Sequence, residues 1–433
     1  MSEQAGAQSK AQNAAAQLGD EASAERIAAF EAYGLELEYM LVESETLDVL
    51  PIADAAFALA GAPPGSGDVD RGTLGWSNEL VRHVVELKNV LPRALAELTG
   101  RFQHEICEFN SLLASRGARL MPGGMHPWMD PCKETELWPY GNSPVYEAYD
   151  RIFDCRTHGW ANLQSTHVNL PFANDTEFAR LHAAVRIVLP IIPALTASSP
   201  YANGRAAGPL DYRMTAYRDN SARVPSLTGD VVPRTVHTRA EYEDKVLLPM
   251  YRDIAPLDPG GVLQHEWLNS HGAIARFSRN AIEIRVMDVQ ECPLADVALA
   301  ALVIDAVHAL YEERYAPLAA QQAVSTDRLA RVLAACVEHG ERGEIVEPEY
   351  VEIFGMRRSM SAGELWLRIV ERLQAVGAQH HALWAVPADI VLTHGPLARR
   401  LLNVLGPQPQ RADIRAAYRE LCERLATGRM YIP

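Results

Sequence analysis

Three stretches of the chain alternate apolar and polar residues with the period of two that a half-buried strand requires. They are GLELEYMLVE from Gly34, QSTHVNLPF from Gln164 and NAIEIRVMD from Asn280. A further strand is predicted in the second half of WSNELVRHVVELKNV, where β-branched residues cluster. Elsewhere apolar positions recur at helical spacing. That spacing predicts a short helix over 22–32, longer ones over about 92–116 and 177–195, and then helices over 294–318, 327–339, 362–376 and 411–427. The Gly/Pro-rich segment 61–75 is expected to be a loop, and SSPYANGRAAGP a surface loop. The interval 121–160, rich in Gly, Pro and aromatics, is expected to be an irregular lid or binding loop. Strands come early and helices late, which fits an α+β fold better than alternating βαβ units.

Composition narrows the function. The chain has 433 residues, 48% of them apolar, enough for a large core. Its 40 Lys and Arg against 55 Asp and Glu give a net charge of −15, which repels nucleic acid and anionic lipid, and no basic tract offsets it. Neither a nucleic acid nor a membrane is expected as a partner. Residues 1–23 are small and polar with no apolar targeting core, so a tail is expected there and a single catalytic domain over 24–433. Within that domain, about 33–308 is expected to form the sheet and about 294–433 the helical part. The longest uncharged stretch, 187–204, is interrupted by Pro190, Pro193 and Pro200, so no transmembrane helix is expected. Six scattered cysteines without a C-x-x-C pair fit neither a disulfide framework nor a zinc knuckle, and a cytoplasmic location is expected.

The predicted strands carry the chemistry. Glu36 and Glu38 project from one face of the first, while Leu35, Leu37 and Tyr39 cover the other. Two adjacent carboxylates need a counter-charge. Magnesium is suited to supply it, since it takes carboxylate oxygens together with water and phosphate; for a lone E-x-E, however, a solvated strand face is the commoner case. Glu283 and Arg285 share a face of a later strand, a pairing that fits a metal ligand beside a phosphoryl contact or a plain ion pair. His167 and Asn169 share a face of STHVNLP. Glu79 and Glu86 lie seven apart, on opposite faces of an unbroken strand, so one of them needs a bend to reach Glu36. A sheet gathering Glu36, Glu38, Glu86, His167 and Glu283 is costly without bound cations, and a site for several magnesium ions is the economical reading.

In order along the chain, GLELEYMLVE, NELVRHVVELKN, GGMHPW, STHVNLP, SPYANGRAAGPLDYR and AIEIRVMD resemble the motif blocks of the carboxylate-amine ligases typified by glutamate-cysteine ligase family 2, in the glutamine synthetase superfamily. The resemblance runs from about Tyr33 to His308. It implies an antiparallel sheet curved into a cup with helices outside. It also implies ATP-dependent amide formation through an acyl phosphate, with two or three Mg2+ ions. Glu36, Glu38, Glu79, Glu86, His167 and Glu283 would then surround the ions and the ATP phosphates, and Arg285 would neutralise the γ-phosphate. Arg213 and Arg205 become candidates to hold a substrate carboxylate. The implied substrates are a small carboxylate such as glutamate and an amine such as cysteine, and a homodimer is common in the family.

The chain departs from the family pattern at Lys88, Asn89, Met125, Asn169, Ala206, Ala207 and Asp211, which points to altered substrates. Trp128, Trp138 and Tyr140 are candidates to cap the pocket or simply to pack its loop. A guanidino-kinase-type phosphotransferase and a non-catalytic nucleotide binder are the alternatives. A P-loop enzyme is excluded by the absence of G-x-x-x-x-G-K-[ST], and His265–Glu266 lacks the second His that a zinc hydrolase needs.

Overall fold

The computed structural model describes residues 26–432; the expected tail, and residues 22–25 of the expected first helix, lie outside them. From Arg26 to Ala32 the chain forms a turn rather than a helix. It then enters β1 (Gly34–Glu43), followed by β2 (Asp68–Arg71), β3 (Leu74–Asn78), β4 (Val84–Asn89), β5 (Ala118–Met121), β6 (Ser165–Pro171), β7 (Tyr201–Ala202), β8 (Arg205–Ala206), β9 (Ala273–Arg276) and β10 (Ala281–Asp288). Eight of these form one open sheet in the order β2-β3-β4-β1-β6-β10-β9, with β5 taking up the second half of β1. All its pairings are antiparallel. A bulge between Ile284 and Met287 interrupts β10, a feature that bends a strand and adds twist.

One face of this sheet is the floor of the core. Leu35, Leu37, Val168, Leu170, Ile282, Ile284 and Val286 are fully buried there. They belong to one hydrophobic cluster with the helix Pro293–Tyr311. That helix is apolar on nearly every side because other helices surround it: Leu98–Ala114, Asp175–Val188, Ala362–Ala375 and His381–His394 all pack on it. It is long and apolar enough to cross a membrane, yet 83% of its most apolar window is buried inside the fold.

The late helices follow the apolar spacing closely, at Thr326–His339, Ala362–Ala375 and Arg411–Thr427. Two more, His381–His394 and Leu397–Leu405, were hidden by Pro387, which sits inside the first of them. The segment SSPYANGRAAGP is only partly a surface loop. Ser198, Ser199 and Tyr201 are fully buried, β7 pairs with β8, and exposure is confined to the tip. The interval 121–160 contains the helix Ser143–Phe153, whose Val145, Tyr149 and Ile152 mark a helical face.

Two buried polar clusters tie distant elements together. Arg400 donates to Glu291 at 2.7 Å and to the Tyr431 carbonyl, while the Tyr431 backbone N–H donates to Glu291 at 3.0 Å. On the central helix, Asp305 accepts from the His380 backbone N–H (3.0 Å), His380 Nδ1 (2.8 Å) and Trp384 Nε1 (2.7 Å).

Candidate active site

On its other face the sheet carries charge. Antiparallel register sets Glu36 opposite both Lys88 and His167, Glu38 opposite Glu86, and Glu283 opposite Asn169. Residues far apart in sequence are thus brought side by side by pairing alone. Glu79 joins them because the bend expected between it and Glu86 is a hairpin: β3 pairs Ser77 with Glu86, and Glu79 lies two residues beyond Ser77 as the chain turns. The first half of WSNELVRHVV is therefore itself a strand, which its weak β pattern did not announce.

Hydrogen bonds fix the carboxylates. His167 Nδ1 lies 3.0 Å from Glu36, and Asn169 donates to the other Glu36 oxygen at 3.1 Å. The Ser165 backbone N–H (2.7 Å) and hydroxyl (3.0 Å) donate to Glu38. Ser77 (2.7 Å) and Lys88 (2.8 Å) donate to Glu86. Arg276 (3.0 Å) and Arg285 (2.5 Å) donate to Glu283. Five carboxylates are gathered, and two overlapping triads, Glu36–Glu86–His167 and Glu38–Glu79–Glu86, bring their ligand atoms within 4.8 Å of one another.

Titration follows from this crowding. Burial, then the Glu36 carboxylate, pushes Glu86 up to about 7 despite Lys88. Burial and the Glu86 and Glu38 carboxylates hold Glu79 well above the usual range. Burial opposes the charge on Glu36 too, but the His167 hydrogen bond and charge prevail and lower its pKa. His167 loses stability of its cation through burial but more than regains it from Glu36, Glu38 and Glu283, and rises to about 9. Burial and neighbouring carboxylates disfavour ionised Glu79 and Glu86, and a divalent cation would offset both effects, so the donor set fits divalent ions.

A cavity of about 480 Å3 lies over these residues, with Arg213, Arg276, Arg279 and Arg285 also on its lining. A second cleft of about 830 Å3 adjoins it, sharing Glu36, Lys88 and Arg279 and bordered by Leu35, Trp76 and Asn169. Arg205 is exposed on β8 and borders neither cleft. Arg213 reaches the cavity, but its guanidinium is buried against Asp288 and donates to the Arg285 carbonyl at 3.2 Å. Arg279, by contrast, makes no ion pair among the described residues, and no motif marked it. Of the departures from the family pattern, Lys88 and Asn169 touch the site. Asn89 ties backbone, accepting from the Leu35 N–H at 2.7 Å, Asp211 caps a helix, and Met125 is buried.

Aromatic residues wall the cavity, but they are not those expected. Trp138 is buried against Phe57, and Trp128 donates to Asp48 at 3.0 Å; neither borders the cavity. Tyr146 and Tyr149, three apart on the helix Ser143–Phe153, line it together with Trp160, Tyr217 and Trp267. Their helical spacing within 121–160 was the available signal.

An open antiparallel sheet with helices on one face and an acidic cleft on the other defines the carboxylate-amine ligase fold. The chain belongs to glutamate-cysteine ligase family 2, whose model matches residues 32–420. It is 35% identical over 274 residues to a protein of Archaeoglobus fulgidus with no assigned function, covering 63% of this chain and 73% of that one. A protein of Corynebacterium glutamicum provisionally named glutamate-cysteine ligase 2 is 28% identical over 190 residues, covering 43% of this chain. That match spans 46% of the relative's length. Among solved structures, a glutamate-cysteine ligase from Francisella tularensis in complex with AMP superposes with a TM-score of 0.57 at 11% identity, covering 93% of this chain and 90% of that one. A bifunctional glutathione synthetase from Pasteurella multocida gives 0.57 at 12% identity, covering 92% of this chain and 52% of that one. These two likenesses concern the fold.

Proposed function

We propose that the protein is an ATP- and Mg2+-dependent carboxylate-amine ligase working through an acyl phosphate, with glutamate the foremost candidate donor. The observation that carries this reading is the set of two overlapping carboxylate triads beside Arg285, at the junction of two clefts. Glu36, Glu38, Glu79, Glu86, His167 and Glu283 would hold the magnesium ions. When bound, these supply charge neutralisation for the phosphates and polarise the γ-phosphoryl group. The larger cleft, with Leu35 and Trp76 on its border, suits the base of a nucleotide, and the acidic cavity suits its phosphates and the acyl donor.

Arg285 is set by Glu283 on one side and by the Arg213–Asp288 pair beneath its backbone. Its fork of donors is therefore presented to the γ-phosphate with little freedom to lose. Arg279 is the cation free to hold the donor carboxylate, whereas Arg213 is engaged from below. A donor oxygen attacks the γ-phosphorus and ADP leaves; the amine nitrogen then attacks the acyl carbon, phosphate leaves with the bonding electrons, and the ammonium proton is lost to solvent. A cytoplasmic location and a homodimer complete the proposal.

Incubation with Mg-ATP, a panel of carboxylates and hydroxylamine tests it. Acyl hydroxamate formed together with ADP is the expected result. A stable phosphorylated product that ignores hydroxylamine would identify a kinase instead.

A further inference from the structure

An outer groove of about 350 Å3 adjoins the cavity, and the two share Trp267 and Arg276 on their lining. A ribbon of rings joins them. Trp160 meets Tyr149 at 5.0 Å between centroids, Tyr149 meets Trp267 at 6.1 Å, and Trp267 stacks on His265 at 5.3 Å with an interplanar angle of 13°. Tyr251 and Phe277 continue the lining outward. At the inner end Tyr217 borders the cavity, its hydroxyl facing the Arg285 guanidinium.

The groove's charges are already matched. Arg239 pairs with Glu243 at 2.8 Å, and Arg276 with Glu266 at 3.4 Å as well as with Glu283. What remains to hold a ligand there is flat aromatic surface, not a cation for a second carboxylate. Such rings offer large contact area at small entropic cost and suit an apolar or aromatic partner.

We infer that the acyl acceptor is a primary amine with an extended aromatic or large apolar body, its nitrogen beside Tyr217 and Arg285 and its body laid along the Tyr149–Trp267 ribbon into the outer groove. This rests on the ligase reading above, and the experiment separates the two. Hydroxamate formation with hydroxylamine first establishes which carboxylate is activated, independently of the acceptor. With that donor, kcat/KM is then measured for phenethylamine, tryptamine and hexylamine against cysteine and glycine. The extended amines should be favoured about 10-fold or more, the scale on which apolar pockets discriminate. Trp267→Ala should raise the KM for the best extended amine about 10-fold, while the KM for ATP moves less than about two-fold, and Trp267→Phe should recover most of the loss. Hydroxamate formation combined with preference for cysteine, and an acceptor KM indifferent to Trp267→Ala, would overturn the inference and leave the ligase standing. No hydroxamate with any carboxylate would overturn both.

Discussion

Two kinds of buried charge coexist in this molecule. Glu291 and Asp305 each face donors supplied by the chain: Arg400 and the Tyr431 N–H for one, both on a single Glu291 oxygen, and His380 and Trp384 for the other. In the cleft, five carboxylates share Lys88, His167, Arg276 and Arg285, and burial together with the neighbouring carboxylates raises the pKa of Glu79 and Glu86. The first kind sets a few carboxylates among donors of the chain; the second gathers more carboxylates than the four cations it holds. Burial alone therefore does not distinguish structural charge from functional charge, whereas the balance of partners does.

Substitutions should break the two clusters in opposite ways. Glu36→Ala or Glu283→Ala is expected to cut ATP turnover by about 10³-fold or more, because it removes charge stabilisation at the reacting phosphoryl group. In Glu79→Gln the metal-free fold should stay intact, since removing that anion relieves its repulsion with Glu86 and Glu38. A large fall in the metal-free unfolding midpoint would contradict the contrast. Arg400→Ala should do the reverse, costing about 3–5 kcal/mol in denaturant unfolding by stranding Glu291. The Arg400→Met, Glu291→Gln double variant should recover much of that loss.

Arg285→Lys is a milder test. Nucleotide affinity measured calorimetrically should persist while turnover falls about 10- to 100-fold, as a point charge cannot reproduce the fork. Unchanged turnover would remove Arg285 from the phosphate.

The smallest effect is on pH dependence. The folded pKa of Glu86 is raised to about 7 and that of His167 to about 9. Between pH 5 and 9 the metal-free fold binds more protons than the unfolded chain, so its stability should fall as pH rises through that window. Mg2+ requires the carboxylates ionised, so its stabilisation should grow over the same range. A Mg2+ effect independent of pH would mean the triads are not its site.

Alternation made the sheet legible wherever one face is charged and the other apolar, as in β1, β6 and β10. Glu36, Glu38, His167, Glu283 and Arg285 all stand on the charged face their spacing implied. Short strands such as β5 and β9 have too few residues to show a period, and they take their place from neighbours. The Glu79–Glu86 hairpin lacks the Asn-Gly or Asp-Gly signal that would have announced it. Arg279 and the ring ribbon depend on how separate elements meet, which no local pattern encodes. Arg205 and Arg213 matched motif positions, but one is exposed and the other is bound by Asp288, a contact made across 75 residues.

The Arg400–Glu291–Tyr431 tie has a consequence for biosynthesis. Glu291 follows closely on the strand that carries Glu283 and Arg285, yet its partner Tyr431 leaves the ribosome 140 residues later. At about 5–20 residues per second that interval lasts several seconds or more, during which the nascent chain holds an unmatched carboxylate beside its half-built cleft. Water hydrates Glu291 over that interval, so its burial, and the locking of this part of the fold, waits for the segment that carries Tyr431.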